Sequence, residues 1–426
     1  MKNELQILPG KPYFAMDGKP FFWLGDTAWL LFSAISREEA FEYLRNRAEK
    51  GFNVIQATLV HFLPDKTRGN GLTANGYDIQ SEKYWRHIDS IVDKAAELGL
   101  IMALLPSWGS IVKSGVLNLE NVEKYGRFLA DRYKDRTNVI WLLGGDIKAE
   151  GYVEYYNKLG RLLKQASPER LIGYHPFGRC SSSLWLNDAD WLDFHMFQSG
   201  HRRYDQCSMG AWDDTANSMS LYGEDNWRYV LHDRAASARP VLDGEPSYED
   251  IPQGLHDDTQ PRWTAKDVRR YAYWSVFAGA AGHTYGNNSV MQFFDPASGK
   301  KGSYGAQEYW KDALNRPGAG QMRYLKELMA SVDYPTGHIA DELLIGGQRE
   351  RHERVAVFAS DDFVFAYSFS GKPFALDVSK YAGKQIYLHD PATGKSVCSG
   401  TIDRDTLAVD PASAGVTDSD FVLSIR

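Results

Sequence analysis

Two apolar runs of the chain break off at a carboxylate: Asn138-Val139-Ile140-Trp141-Leu142-Leu143-Gly144-Gly145-Asp146 and Arg239-Pro240-Val241-Leu242-Asp243-Gly244-Glu245-Pro246. Bulky residues giving way to Gly and then an acid read as a buried strand emerging into a cleft, where the acid is the first group a ligand meets. Asp146 and Glu245, drawn from distant parts of the chain, are therefore candidates for a catalytic carboxylate pair. Cleavage of a glycosidic bond needs such a pair. One carboxylic acid protonates the departing oxygen, and a second carboxylate attacks or stabilises the oxocarbenium-like centre. Structural readings compete: Asp146 as the cap of the helix after it, Glu245 as the partner of a buried arginine. Asp243, on the Glu245 face by strand alternation but one layer deeper, reads as a supporting residue.

The elements that must position this pair alternate along residues 20–330. Eight strand-like runs are Phe21–Trp29, Asn53–Leu59, Leu100–Trp108, Asn138–Asp146, Leu171–Pro176, Leu192–His201, Pro240–Tyr248 and Ala281–Ser289. Amphipathic stretches separate them: one opening at the capping box Ser36-Arg37-Glu38-Glu39, then Lys83–Leu98, Leu119–Lys134, Tyr152–Gln165, Ser181–Asp190, Tyr222–Ala236, Ala265–Ala278 and Gly320–Ser331. Alternating strands and helices mean parallel pairing, and eight units predict an α/β fold, a closed (β/α)8 TIM barrel. A doubly wound open sheet is the rival, but Gly25-Asp26-Thr27-Ala28-Trp29 after the first strand is no phosphate-binding fingerprint. Beyond Pro335 the texture changes to short alternating runs: Val355–Ala359, Phe363–Phe369, Gln385–His389, Lys395–Ser399 and Phe421–Ile425. They predict a small antiparallel β-sandwich over residues 335–426, after a barrel over residues 1–334.

Reactive groups of a parallel barrel stand at the C-terminal ends of its strands. There the chain offers Asp26, His61, Trp108, Asp146, His175, His195 with Gln198, Glu245 with Tyr248, and His283 with Tyr285. Trp29, Trp108 and Tyr285 are expected to stack on sugar rings. Asp26, His61, His175 and Gln198 are expected to contact hydroxyls, and His195, Tyr248 and His283 complete the rim. The histidines lack the His-x-His pair or His-Glu-x-x-His of metal hydrolases, so no metal and no cofactor is expected. No Gly-x-Ser-x-Gly elbow marks a serine nucleophile.

Composition bounds the partners. A net charge of −7 with no basic block argues against nucleic acid. No stretch approaches a membrane span. The carboxylate pair makes an oligosaccharide or polysaccharide the expected partner. The 12 Trp and 24 Tyr suit a carbohydrate cleft as well as a large core. Cys180, Cys207 and Cys398 form neither a disulfide framework nor a zinc knuckle. Met1-Lys2-Asn3-Glu4-Leu5 lacks an apolar leader, which predicts a cytoplasmic protein or one exported with its signal removed.

Four stretches together resemble a family: Phe21-Phe22-Trp23-Leu24-Gly25-Asp26-Thr27-Ala28-Trp29, Gly51-Phe52-Asn53-Val54-Ile55-Gln56, Trp141-Leu142-Leu143-Gly144-Gly145-Asp146 and Asp243-Gly244-Glu245-Pro246-Ser247-Tyr248. They look like the apiosidase-like glycoside hydrolases, which are (β/α)8 barrels carrying a C-terminal β-sandwich described as collagen-binding. The resemblance spans essentially the whole chain. It implies a retaining β-glycosidase of family 140 that releases apiose from branched pectin (rhamnogalacturonan-II), with Asp146 as acid/base and Glu245 as nucleophile. Related barrel glycosidases carry Asn-Glu at the fourth-strand position, and Gly145-Asp146 departs from that wider pattern while matching the closer family. The loops Phe62–Tyr77 and Ser199–Leu221 carry no motif that names the sugar. The alternatives are a non-catalytic glycan- or matrix-binding protein, a barrel glycosidase of different specificity, and a metal-dependent hydrolase. The catalytic reading requires the two acids to meet with oxygens roughly 5–6 Å apart.

Overall fold

The computed structural model describes residues 4–62, 81–206, 219–299, 301–411 and 420–426. Cys207 and most of the loops Phe62–Tyr77 and Ser199–Leu221 lie outside these residues. Eight parallel strands form the N-terminal region: β1 (Trp23–Thr27), β2 (Val54–Thr58), β3 (Ile101–Leu105), β4 (Val139–Gly144), β5 (Ile172–His175), β6 (His195–Gln198), β7 (Val241–Asp243) and β8 (Gly282–Tyr285). Six make one parallel sheet in the order β8-β1-β2-β3-β4-β5, and β6 pairs in parallel with β7 in a second. The two sheets meet along both edges. Asp193 N–H donates to Ile172 O and Ala281 N–H donates to Val241 O, each at 2.9 Å. Ser181, expected to open a helical segment, instead ends a two-residue strand, Cys180–Ser181, antiparallel to β6. The helix after it, Ser183–Leu186, is a single turn.

Strand alternation sorts the side chains into two layers. Ile55, Ala57, Met102, Leu104, Trp141 and Leu143 pack outward among residues of helices α1 (Arg37–Glu49), α2 (Glu82–Glu97), α3 (Val122–Tyr133) and α4 (Val153–Ala166). Val54, Ala103, Leu105, Ile140, Leu142, Met196 and Leu242 join a separate cluster with Trp23, Phe14 and Phe194. Burial on both faces is why these runs are continuously apolar. An N-terminal hairpin, Phe14–Met16 with Lys19–Phe21, was not anticipated. Its Phe14 ring lies 5.6 Å from Trp23 and 5.4 Å from Phe194, sealing the strand ends away from the carboxylates. Among the described residues no helix is long and apolar enough to cross a membrane.

The C-terminal region is a separate antiparallel unit. Strands β9 (His338–Ile339), β10 (Val355–Ala359), β11 (Val364–Ser368), β13 (Gln385–His389), β14 (Ser396–Thr401) and β16 (Phe421–Ile425) form a sheet in the order β9-β10-β11-β16-β13-β14. β12 (Phe374–Asp377) pairs with β15 (Thr406–Val409) over its face. Val355, Val357 and Ala359 face that small sheet, while Ala356 and Phe358 face helix α6 (Ala265–Phe277), with α5 (Asn226–Ala236) beside it. The junction is specific: Tyr367 stacks on Tyr273 at 4.5 Å and 10°, and Arg269 grips buried Asp420 through two bonds of 2.9 and 2.7 Å.

Candidate active site

Strand β4 ends in three consecutive left-handed residues: Gly144 (φ 94°), Gly145 (φ 96°) and Asp146 (φ 51°). The glycines are obligatory here. A Cβ on Gly144 would stand 2.2 Å from His175 O, and one on Gly145 would stand 2.9 Å from the Trp108 ring. The turn is held by Gly145 N–H to His175 O and Gly109 N–H to Gly145 O, both 2.9 Å. An aspartate in this region costs roughly 1–2 kcal/mol, and such strain concentrates at functional sites. Asp146 is not a helix cap, because α4 begins only at Val153.

Glu245 follows β7 and is 6 % exposed. The backbone beside it is fastened by Gln56 Nε2–H to Gly244 O (2.8 Å) and Gly200 N–H to Glu245 O (3.0 Å). The partners seen for its carboxylate among the described residues are histidines. The His201 ring bridges backbone and acid: the Tyr248 backbone N–H donates to Nδ1 at 3.4 Å, and Nε2 lies 3.0 Å from Glu245 Oε1. His175 Nε2 lies 3.3 Å from Oε2, without hydrogen-bond alignment. One side-chain donor atom each of Asp146, His175 and Glu245 lie within 4.8 Å of one another. These are also the atoms among the described residues spaced to hold a cation, which would occupy lone pairs of both carboxylates.

The environment drives the two acids apart. Burial pushes the Glu245 carboxyl up, but the imidazoles of His175 and His201 outweigh it and hold the group at about 2. For Asp146, burial and then the Glu245 charge push the carboxyl to about 7, against the opposing pull of His175 and of the Gln198 amide. Between these values one acid is ionised and its neighbour protonated, the arrangement needed by a nucleophile and a proton donor.

Of the residues expected at the rim, Trp29, His61, Trp108, Gln198 and Tyr248 line the cleft around the pair. Trp29 and Trp108 rings are 5.2 Å apart, and His61 stands 4.7 Å from Trp108. His175 is fully buried against Trp29 and Glu245, so its position is that of a neighbour to the acid, not a hydroxyl contact. Four expectations fail for one reason, the side-chain period of two along a strand. Asp26 points outward, not into the cleft, and accepts from Arg47 Nε and Tyr43 OH on α1, both at 2.6 Å. His195 points outward to Ser182 Oγ at 2.9 Å, and Tyr285 donates to Glu249 at 2.5 Å. His283 shares the Tyr285 face, is fully buried, and is pushed down to about 3 by that burial. Asp243 also turns away from Glu245, accepting from Ser199 Oγ (2.6 Å) and Asn226 Nδ2 (3.0 Å). The intervening Gly244 breaks the alternation. The cleft residues not anticipated include His201, whose one signal was a histidine closing the sixth run, and Tyr304, which no motif marks.

Two neighbouring acids in a cleft walled by indoles at parallel strand ends match the arrangement of a glycoside hydrolase. Solved structures agree. One described as a glycoside hydrolase is 39 % identical, with a TM-score of 0.91 over 100 % of this chain and 97 % of its own. Another, described as a glycoside hydrolase family 5 protein from Bacteroides vulgatus ATCC 8482, is 36 % identical, with a TM-score of 0.90 over 100 % and 94 %. A comparison with curated proteins gives no match. Residues 9–336 match the family described as "Apiosidase-like, catalytic domain", and residues 339–426 match "Putative collagen-binding domain of a collagenase". The chain belongs to the apiosidase-like family.

Proposed function

We propose that this protein is a retaining β-glycosidase of family 140 that releases apiose from the apiosyl linkages of rhamnogalacturonan-II. Its scaffold is a closed (β/α)8 barrel over residues 1–334 followed by a β-sandwich over residues 335–426. The hydrogen bond on each seam between the two parallel sheets supports closure. The observation that carries the chemistry is the short separation of Asp146 and Glu245, within 4.8 Å, close to the spacing of about 5 Å at which a carboxylate attacks directly. Inverting enzymes hold their acids roughly 6.5–9.5 Å apart to admit a water between them.

Glu245, ionised through the acid range, attacks the anomeric carbon and forms a glycosyl-enzyme. Asp146, still protonated near neutrality, gives its proton to the leaving oxygen. It then takes one from the water that hydrolyses the intermediate, which restores both acids. His201 keeps the attacking carboxylate oriented and charged, and the Trp29–Trp108 wall offers an apolar face to the sugar ring. The test is a screen of plant cell-wall oligosaccharides, with the released monosaccharide identified. Apiose as the sole product is expected. Release of a different sugar overturns the specificity, and no release from any glycan overturns the proposal.

A further inference from the structure

The cleft has two lobes that meet at Asp146. One, of about 150 Å³, is bounded by Trp29, His61, Trp108, Met291 and Glu245. The other, of about 130 Å³, is bounded by Phe177, Gly178, Arg179, Arg202 and His256. Asp146, Gln198, His201, Leu255 and Tyr304 border both, whereas Glu245 borders only the first. This asymmetry has a direction. A nucleophile must reach the anomeric carbon of the sugar that stays on the enzyme, and the acid must reach the oxygen leaving with the other unit. The retained sugar therefore belongs in the lobe holding Glu245, and the scissile oxygen belongs at the junction, within reach of Asp146.

Tyr304 stands over that junction. Its backbone is left-handed (φ 52°, ψ 39°), a conformation costing a non-glycine residue roughly 1–2 kcal/mol. The surroundings over-determine it. Asn288 Nδ2–H donates to Tyr304 O at 2.8 Å, Arg262 Nη2–H donates to Gly305 O at 2.5 Å, and Gln292 exchanges two bonds with the Ser303 backbone at 3.0 and 2.8 Å. Tyr304 is 39 % exposed, with the His256 ring 5.7 Å from its own on the second lobe. A loop fastened at this many points fixes the backbone that carries the phenol ring, on the border of both lobes.

We propose that the retained sugar occupies the Trp108 lobe, that the departing sugar occupies the Phe177 lobe, and that Tyr304 is a specificity-determining residue touching both units. The assignment rests on Asp146 and Glu245 acting as acid and nucleophile, and it does not depend on which sugar is released. The test uses two substrates: the glycan cleaved by the wild-type enzyme, and the 1-fluoride of the sugar it releases, which has no second sugar unit. Phe177→Ala should lower kcat/KM on the glycan roughly tenfold or more beyond its effect on the fluoride, whereas Trp108→Ala should lower both about equally. Tyr304→Ala should lower both, and the glycan more. Equal losses on both substrates for Phe177→Ala, a glycan-only loss for Trp108→Ala, or a Tyr304→Ala enzyme within about twofold of wild type on both would overturn it. Thermal unfolding of each variant, with Phe177→Leu as the milder change, separates misfolding from a lost contact. If the released sugar is not apiose, the specificity proposed above fails while this assignment is still tested.

Discussion

Replacing Gln198 with Leu should move the alkaline limit of activity upward. Gln198 lies on the inner face of β6, where its side-chain amide beside Asp146 favours the ionised carboxylate and opposes the upward push of burial and of Glu245. Leucine keeps much of the volume and removes the donor. A hydrogen bond to a charged group contributes about 1.5–3 kcal/mol when shielded, and 1.36 kcal/mol corresponds to one pKa unit. Asp146 is only half-buried, so water screens the interaction and the lower end applies. The sign follows from which form loses its partner. The anion is destabilised, the pKa rises, and the protonated acid survives to higher pH. The alkaline limb of kcat/KM should therefore move from near pH 7 to about pH 8, while the maximum falls because a cleft contact is lost. The assay is initial rate at low substrate from pH 4 to 10. A limb that stays in place or moves to lower pH would refute the assignment of Asp146 as the acid and Gln198 as its donor.

Other outcomes follow from the same contacts. Asp26→Ala leaves Arg47 as an uncompensated buried charge, so urea unfolding should show a loss of about 3–5 kcal/mol. The variant's folded fraction should keep kcat/KM within about twofold of wild type, because Asp26 faces α1 and not the cleft. Gly144→Ala meets both a positive φ and a carbonyl at 2.2 Å; on the order of 3 kcal/mol of stability should be lost in thermal unfolding, with activity falling further as Asp146 is displaced. Excess EDTA should leave turnover unchanged, since the proposed chemistry needs the lone pairs of Asp146 and Glu245 free. Inactivation that a divalent cation reverses would point instead to a metal held by Asp146, His175 and Glu245.

The parallel strands were legible because burial on both faces makes them unbroken apolar runs. Three antiparallel strands, Val355–Ala359, Gln385–His389 and Phe421–Ile425, also fall on their observed bounds. The N-terminal hairpin, β12 and β15 were not, because strands of three or four residues carry too few alternations to stand out. At the site, proximity to a strand end was legible but facing was not. Asp26, His195, His283 and Tyr285 lie one residue out of step with the cleft, and a single Gly at the strand end reverses the count, as Gly244 does between Asp243 and Glu245. A signal for Asp26 was present. Arg47 continues the stripe Ala40, Tyr43, Leu44 on α1, and an arginine on a buried stripe needs a buried acid. His201 and Tyr304 reach the cleft from loops whose course depends on distant hydrogen bonds, which no local pattern encodes.

The central claim, that Glu245 bonds covalently to the sugar while Asp146 serves the leaving group, is tested most directly by trapping the intermediate. A 2-deoxy-2-fluoro glycoside of the released sugar, carrying a good leaving group, should add one glycosyl mass to the protein, and peptide mapping should put it on Glu245. No adduct, with product formed at inverted configuration, or an adduct on any other residue, would contradict the account.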